Sequence, residues 1–124
     1  MGATPLDGTI LVVDDDPSIL ATISEILELE GYEVRTATNG QEALASVERE
    51  LPSLVLLDMR MPVLDGWGFA RGLRERGLDV KVLVMTAAEN ARHWAREIGA
   101  NDYLAKPFEL SDLLSAVERL RRDP

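Results

Sequence analysis

The sequence predicts a doubly wound α/β domain built on one five-stranded parallel sheet, and three observations carry that expectation. Short apolar runs alternate with amphipathic helical stretches along the whole chain, the pattern of parallel strands joined by right-handed helical crossovers. Leu54-Val55-Leu56-Leu57 is apolar at every residue, as a strand covered by helices on both faces must be. That run stops on a lone carboxylate, Asp58, before Met59-Arg60-Met61-Pro62. An acid at the carboxyl end of a central strand stands where open α/β sheets bind their ligands.

Each element has its own signal. Thr9 to Val13 is a β-branched strand ending on Asp14-Asp15-Asp16, and Pro17 suits the first helical position with Asp16 as N-cap. Ile19, Leu20, Ile23, Ile26 and Leu27 recur at helical spacing until Gly31 supplies a left-handed stop. Tyr32 to Thr36 alternates apolar and polar and is less apolar than the other strands, which places it at a sheet edge. Asn39-Gly40-Gln41-Glu42 has the form of a capping box, Asn39 reaching forward and Glu42 back, ahead of the stripe Ala43, Leu44 and Val47. Pro52 and Ser53 punctuate before the Leu54 strand. Asp65-Gly66 then turns into a third helix over Trp67 to Arg76. Gly68 and Gly72 each cost that helix about 1 kcal/mol relative to alanine, so it is expected to be the weakest. Val80 to Met85 forms the fourth strand, ending on Thr86, and Ala91, Ala95 and Ile98 mark a fourth helix closed by Gly99. Tyr103 and Leu104 make a short last strand before Lys106-Pro107, and Leu110, Leu113, Leu114, Val117 and Leu120 mark the last helix. Arg119 to Pro124 reads as its frayed end or the start of a linker.

At 124 residues the chain is one domain, with a core over about residues 9–121. Its apolar runs are too short to span a bilayer, and Met1 to Gly8 has neither the basic start nor the apolar stretch of a secretion signal. A cytoplasmic location without membrane contact is the expectation. The absence of cysteine excludes disulfide and thiol chemistry, and His93, the single histidine, excludes histidine-rich zinc sites. A metal must therefore sit on oxygen ligands. The net charge of −9 repels the phosphates of nucleic acid, so direct nucleic-acid binding is not expected.

If the first strand lies beside the Leu54 strand, Asp14, Asp15 and Asp58 converge, and Thr86 and Lys106 arrive from the next two strands. Two carboxylates about 5 Å apart repel by roughly 3 kcal/mol at an effective dielectric of about 20, so the trio needs protons or a cation. Mg²⁺ fits best, since it takes oxygen ligands and shares its shell with substrate phosphates. The chemistry implied is phosphoryl transfer: Asp58 as nucleophile, with the Thr86 hydroxyl and Lys106 ammonium on the phosphoryl oxygens.

Four motifs carry a resemblance: Val12-Val13-Asp14-Asp15-Asp16, Asp58-Met-Arg-Met-Pro62-Val-Leu-Asp65-Gly66, Thr86-Ala87, and Gly99 through Tyr103 to Lys106-Pro107-Phe108. From about Thr9 to Arg121 the chain resembles the response-regulator receiver domains of two-component signalling. The resemblance implies a flavodoxin-like (βα)5 fold with strand order 2-1-3-4-5. It implies that Asp58 is the phosphoacceptor, that Asp14, Asp15 and Asp58 hold Mg²⁺, and that the backbone carbonyl of Arg60 completes the protein's share of the metal shell. It also implies that Lys106 pairs with the phosphoryl group, that the Lys106–Pro107 bond is cis, and that Thr86 and Tyr103 form a switch couple. The implied partners are a histidine kinase or histidine phosphotransfer protein upstream, and a protein target or effector domain downstream. The latter reads the surface of the fourth helix, fifth strand and fifth helix, with a phosphorylation-dependent dimer as one output. Such a chain is a switch rather than an enzyme, with only self-catalysed phosphotransfer and dephosphorylation. Arg60, at a position the family fills variously, puts a long cation at the mouth of the site and bears on phosphoryl lifetime.

Two other readings compete. Ile10 to Ser18 also resembles the first motif of haloacid-dehalogenase-type phosphatases, with Asp14 as nucleophile and Asp16 as acid. There, however, the acidic metal motif follows the lysine, whereas Asp58 precedes Lys106, and the chain has no room for the usual cap. A degenerate receiver that serves only for docking is disfavoured because every site group is present. Singly, Asp14 to Asp16 is a solvated turn, Lys106 a surface lysine and Thr86 the end of a strand; their company gives them a role. His93 reads as an outer-face residue, Met59 and Met61 as packing, and Trp94 as either core or surface.

Overall fold

In the computed structural model, which describes residues 9–122, strands and helices alternate along the chain. They are β1 Thr9–Val13, α1 Pro17–Leu29, β2 Glu33–Ala37, α2 Gly40–Arg49, β3 Leu54–Asp58, α3 Gly66–Glu75, β4 Val82–Ala87, α4 Ala91–Ile98, β5 Asp102–Lys106 and α5 Leu110–Arg122. All strands are parallel, in the order β2-β1-β3-β4-β5. This is the doubly wound, flavodoxin-like architecture. The expectations placed on Met1 to Gly8 and on Asp123 and Pro124 fall outside the described residues.

Alternation of side chains divides the core into two layers. Leu11, Val13, Val55, Leu57, Val82 and Val84 face α2, α3 and α4, while Ile10, Val12, Leu54, Leu56, Leu83 and Met85 face α1 and α5. Every residue of β3 is buried, as its unbroken apolar run requires. No helix among the described residues is long and apolar enough to cross a membrane.

Where expectation and structure differ, a specific contact explains it. β2 begins one residue late because Tyr32 turns to α5, where its hydroxyl receives a hydrogen bond from Arg121 Nε at 3.0 Å. β4 covers Val82–Ala87 rather than Val80 to Met85, since the Val82 N–H is taken by the Asn101 side-chain carbonyl at 2.8 Å. Thr86 therefore lies inside the strand. Asn39 caps α2 by accepting from Glu42 N at 2.8 Å, but the Glu42 carboxylate reaches one residue further out than a capping box needs. It takes both the N–H and hydroxyl of Thr38, at 2.8 and 2.9 Å. α3 starts at Gly66, where a Cβ would stand 2.8 Å from Met59 Cα, and at Gly72 a Cβ would meet Leu44 Cδ1 at 2.5 Å. Gly72 thus lets α3 lie close to α2, a packing gain that the reading of α3 as the weakest helix leaves out.

Candidate functional site

Register brings the polar groups together. Val13 is level with Leu57, so Asp14 emerges beside Asp58; Asp58 is level with Met85, one residue before Thr86, and Ala87 is level with Lys106. The four side chains thus come from the carboxyl ends of β1, β3, β4 and β5, at the edge where doubly wound sheets bind ligands.

Asp14 is 1% exposed. Its Oδ1 accepts the Asp16 N–H at 2.9 Å and its Oδ2 lies 3.1 Å from Lys106 Nζ. Asp16 in turn caps α1 by accepting from Ser18 N at 2.9 Å, with Pro17 at the start of the helix. Asp15 is exposed, and one carboxylate oxygen from each of Asp14, Asp15 and Asp58 lies within 4.8 Å of the others. Asp58 is 8% exposed, with Oδ1 3.8 Å from Lys106 Nζ. Burial pushes the Asp58 carboxyl up to about 6; Lys106 opposes the shift, Asp14 adds to it, the Arg60 backbone N–H opposes it and Asp15 adds to it. Lys106 reaches Asp14 and Asp58, and its single charge against three carboxylates leaves the crevice short of positive charge. The Lys106–Pro107 bond is cis.

Thr86 is buried at the rim, and Tyr103 is 39% exposed. Thr86 is level with Ala105, so Thr86, Ala105 and Tyr103 share one face of the sheet, with only the small Ala105 between hydroxyl and ring. The Arg60 side chain does not join the crevice. It lies over the Trp94 ring, 5.4 Å from its centroid, and Trp94 packs edge-on against Trp67 at 4.9 Å. The sequence reading missed this pairing of tryptophans, because residues on two different helices share no local periodicity. His93 is exposed and 3.4 Å from Glu97; Met59 is fully buried and Met61 partly so.

The loop after β3 carries backbone strain. Val63 has φ of +70°, and Leu64 N–H returns to Pro62 O at 2.8 Å, a γ-turn with a β-branched centre in left-handed space. Gly66 N–H to Met59 O at 2.9 Å and Gly40 N–H to Leu64 O at 2.7 Å hold the loop in place. Strained backbone that persists beside such a crevice is a mark of functional sites. Chemically, the crevice offers a buried nucleophilic carboxylate, an ammonium, a hydroxyl and an oxygen-only donor set for a hard cation.

Comparison with known proteins agrees with this geometry. The family model for the response regulator receiver domain matches residues 10–118. The transcriptional regulatory protein PrrA of Mycobacterium tuberculosis is 44% identical over 115 residues, covering 91% of this chain and 49% of PrrA. Response regulator MprA of Mycobacterium leprae is 42% identical, covering 91% of this chain and 50% of MprA. The chain thus spans about half the length of the curated relatives it matches. Among solved structures, the receiver domain of NtrX from Brucella abortus superimposes with a TM-score of 0.84 at 32% identity, covering 93% of this chain and 99% of that one. The chemotaxis response regulator CheY4 of Vibrio cholerae gives 0.82 at 32%, covering 91% and 98%. Acidic strand ends, a lysine before a cis proline and matches over nearly the whole described chain converge, and the chain belongs to the response regulator receiver domain family.

Proposed function

We propose that the chain is a phosphorylation-dependent switch rather than an enzyme, and that Asp58 takes a phosphoryl group from a histidine kinase or histidine phosphotransfer protein. The observation that carries this is the placing of Asp58: nearly buried at the tip of the central strand, with Lys106 at 3.8 Å and Asp14 and Asp15 beside it. In the transfer an Asp58 oxygen bonds to phosphorus as the phosphorus–nitrogen bond of the donor breaks, leaving an acyl phosphate here and a free imidazole on the donor. Lys106 pairs with the phosphoryl oxygens, and the Thr86 hydroxyl donates to another.

The three carboxylates suit Mg²⁺, a cation that takes oxygen ligands and tolerates an incomplete protein shell. Asp14, Asp15, Asp58 and the backbone carbonyl of Arg60 would hold it; when bound it neutralises charge and orients the transferring group. Burial raises the Asp58 carboxyl and the neighbouring Asp14 and Asp15 add to the shift, a combination that supports a cation here.

Output follows from Thr86. Movement of its hydroxyl toward the phosphoryl group frees space that the Tyr103 ring can enter across Ala105, altering the surface of α4, β5 and α5. A downstream protein or effector domain reads that surface, and a phosphorylation-dependent dimer is one form of the response. PrrA is named as a transcriptional regulatory protein and is about twice the length, and the net charge of −9 supports locating any nucleic-acid contact outside this domain. A cytoplasmic site of action fits such a partner set.

The test is intact mass after incubation with a small phosphodonor and Mg²⁺. The wild-type chain gains one phosphoryl group and Asp58→Asn gains none. Labelling kept in Asp58→Asn but lost in Asp14→Asn would instead select the phosphatase chemistry, in which Asp14 is the nucleophile.

A further inference from the structure

Beside the crevice lies a cluster for which the proposed transfer has no use. Arg60, from the loop after β3, sits over Trp94 of α4; Trp94 meets Trp67 of α3 at 70° between ring planes; Trp67 Nε1–H donates to Glu97 Oε1 at 3.0 Å. The cluster therefore ties the loop that leaves Asp58 to both helices beyond it. It contains both tryptophans of the chain.

Arg60 has a second place to go. Arg60 follows the acceptor Asp58 by two residues in the loop that leaves β3, so its main chain stands close to the site. Arg60 also borders a hollow of about 260 Å³ lined by Met59, Met61, Asp65 and Trp67, so its side chain is not packed in on that side. Charge decides between the two positions. In the unmodified chain Lys106 already serves Asp14 and Asp58, and the exposed guanidinium stays on the ring. On Asp58 the acyl phosphate carries about 1.5 to 2 negative charges and three acceptor oxygens in place of the single charge of the carboxylate. A charge-assisted, bidentate bond from a guanidinium to those oxygens is stronger than an exposed cation–π contact.

We infer that Arg60 is a charge-operated latch, parked on Trp94 while Asp58 is free and drawn onto the phosphoryl oxygens when Asp58 is modified, which releases α4 from the loop. The latch rests on the reading of Asp58 as phosphoacceptor. It adds a second connection from the site to α4, independent of Thr86 and Tyr103. Arginine suits both positions because its planar fork stacks on rings and pairs bidentately with phosphate, where lysine is a point charge.

Tryptophan emission of the chain, titrated with beryllofluoride in Mg²⁺, tests this in wild type and Arg60→Ala. Because Arg60 is exposed, the variant removes no core contact. In wild type the emission changes as the cation leaves the ring. Arg60→Ala starts near the emission of the saturated wild type and keeps only the smaller change that the Thr86 and Tyr103 route supplies. Its half-saturation, followed by fluorine NMR, needs about tenfold more beryllofluoride, the loss expected for one charge-assisted contact. A wild-type emission change in Arg60→Ala overturns the latch. Intact mass after a small phosphodonor separates the two failures: a wild-type chain that gains no phosphoryl group overturns the acceptor reading. Gain of the group, together with a wild-type emission response in Arg60→Ala, overturns the latch alone.

Discussion

The helices that follow Asp14 and Thr86 leave the same crevice but are built differently. α1 runs 13 residues, starts on a capping Asp16 and Pro17, and buries Leu20, Ile23 and Leu27. α4 runs 8 residues, has no side-chain cap at Asn90, and fully buries only Ala91 and Ala95, with Trp94 and Ile98 partly covered. Each fully buried large aliphatic side chain contributes about 1.5–3 kcal/mol, which an alanine cannot match. The difference teaches where the domain can move. The side that holds Asp14 in place is anchored by large side chains, and the side that follows Thr86 gives up little on shifting.

The largest expected effect tests that asymmetry directly. Leu27→Ala, at a fully buried site of α1, should cost about 3 kcal/mol, whereas Ile98→Ala on α4 should cost about 1 kcal/mol because its site is partly open to solvent. Urea unfolding of the two variants gives both numbers. Equal costs would remove the distinction between the helices.

How much of this the sequence shows depends on whether the cause is local. The order of elements, the Asp16 cap and the convergence of Asp14, Asp15, Asp58, Thr86 and Lys106 follow from periodicity, cap chemistry and the rule that sites form at strand ends. β4 was expected two residues early because the bond from Val82 to Asn101, 19 residues on, leaves no mark in the strand itself. Gly72 of α3 reads as a propensity cost, because nothing nearby in sequence announces Leu44 as the side chain it admits. Trp67 and Trp94 meet only once α3 and α4 lie side by side, so Trp94 read equally well as core or surface.

A middle-sized effect comes from the crevice between the helices. The Asp58 carboxyl in the folded chain titrates at about 6, above its ordinary 3.8, so between those values the folded state keeps a proton that the unfolded state has lost. Stability without metal therefore falls as pH rises through that window; the penalty is absent below about 4 and complete above about 6. Allowing for screening by water, its size is about 1–2 kcal/mol. Unfolding of wild type and Asp58→Asn in chelator from pH 4 to 7 isolates it, because the other carboxylates are common to both. The gap should close from the wild-type side as pH falls, and Mg²⁺ should shrink it at neutral pH. If the asymmetry holds, amide exchange in α4 should respond to this penalty before exchange in α1.

The smallest effect probes the helix starts, where the two differ by a single hydrogen bond. Asp16 accepts from Ser18 N, so Asp16→Ala loses a cap worth about 1 kcal/mol. The same substitution also removes a negative charge beside Asp14 and Asp15, which offsets part of the loss. Asp16→Asn keeps the cap and removes the charge, so the difference between the two variants, measured by urea unfolding, isolates the cap. Asn90, with φ of −113° and ψ of −13°, makes no such bond, and Asn90→Ala should change stability by no more than a few tenths of a kcal/mol. A cost near 1 kcal/mol at Asn90 would mean that α4 is held at its start as firmly as α1. A cost near zero fits the switch. The turn from Ala87 to Asn90, closed by the Asn90 N–H on Ala87 O at 3.0 Å, runs from the strand that holds Thr86 straight into an uncapped helix. A displacement at Thr86 then meets no capping bond that must break before α4 moves.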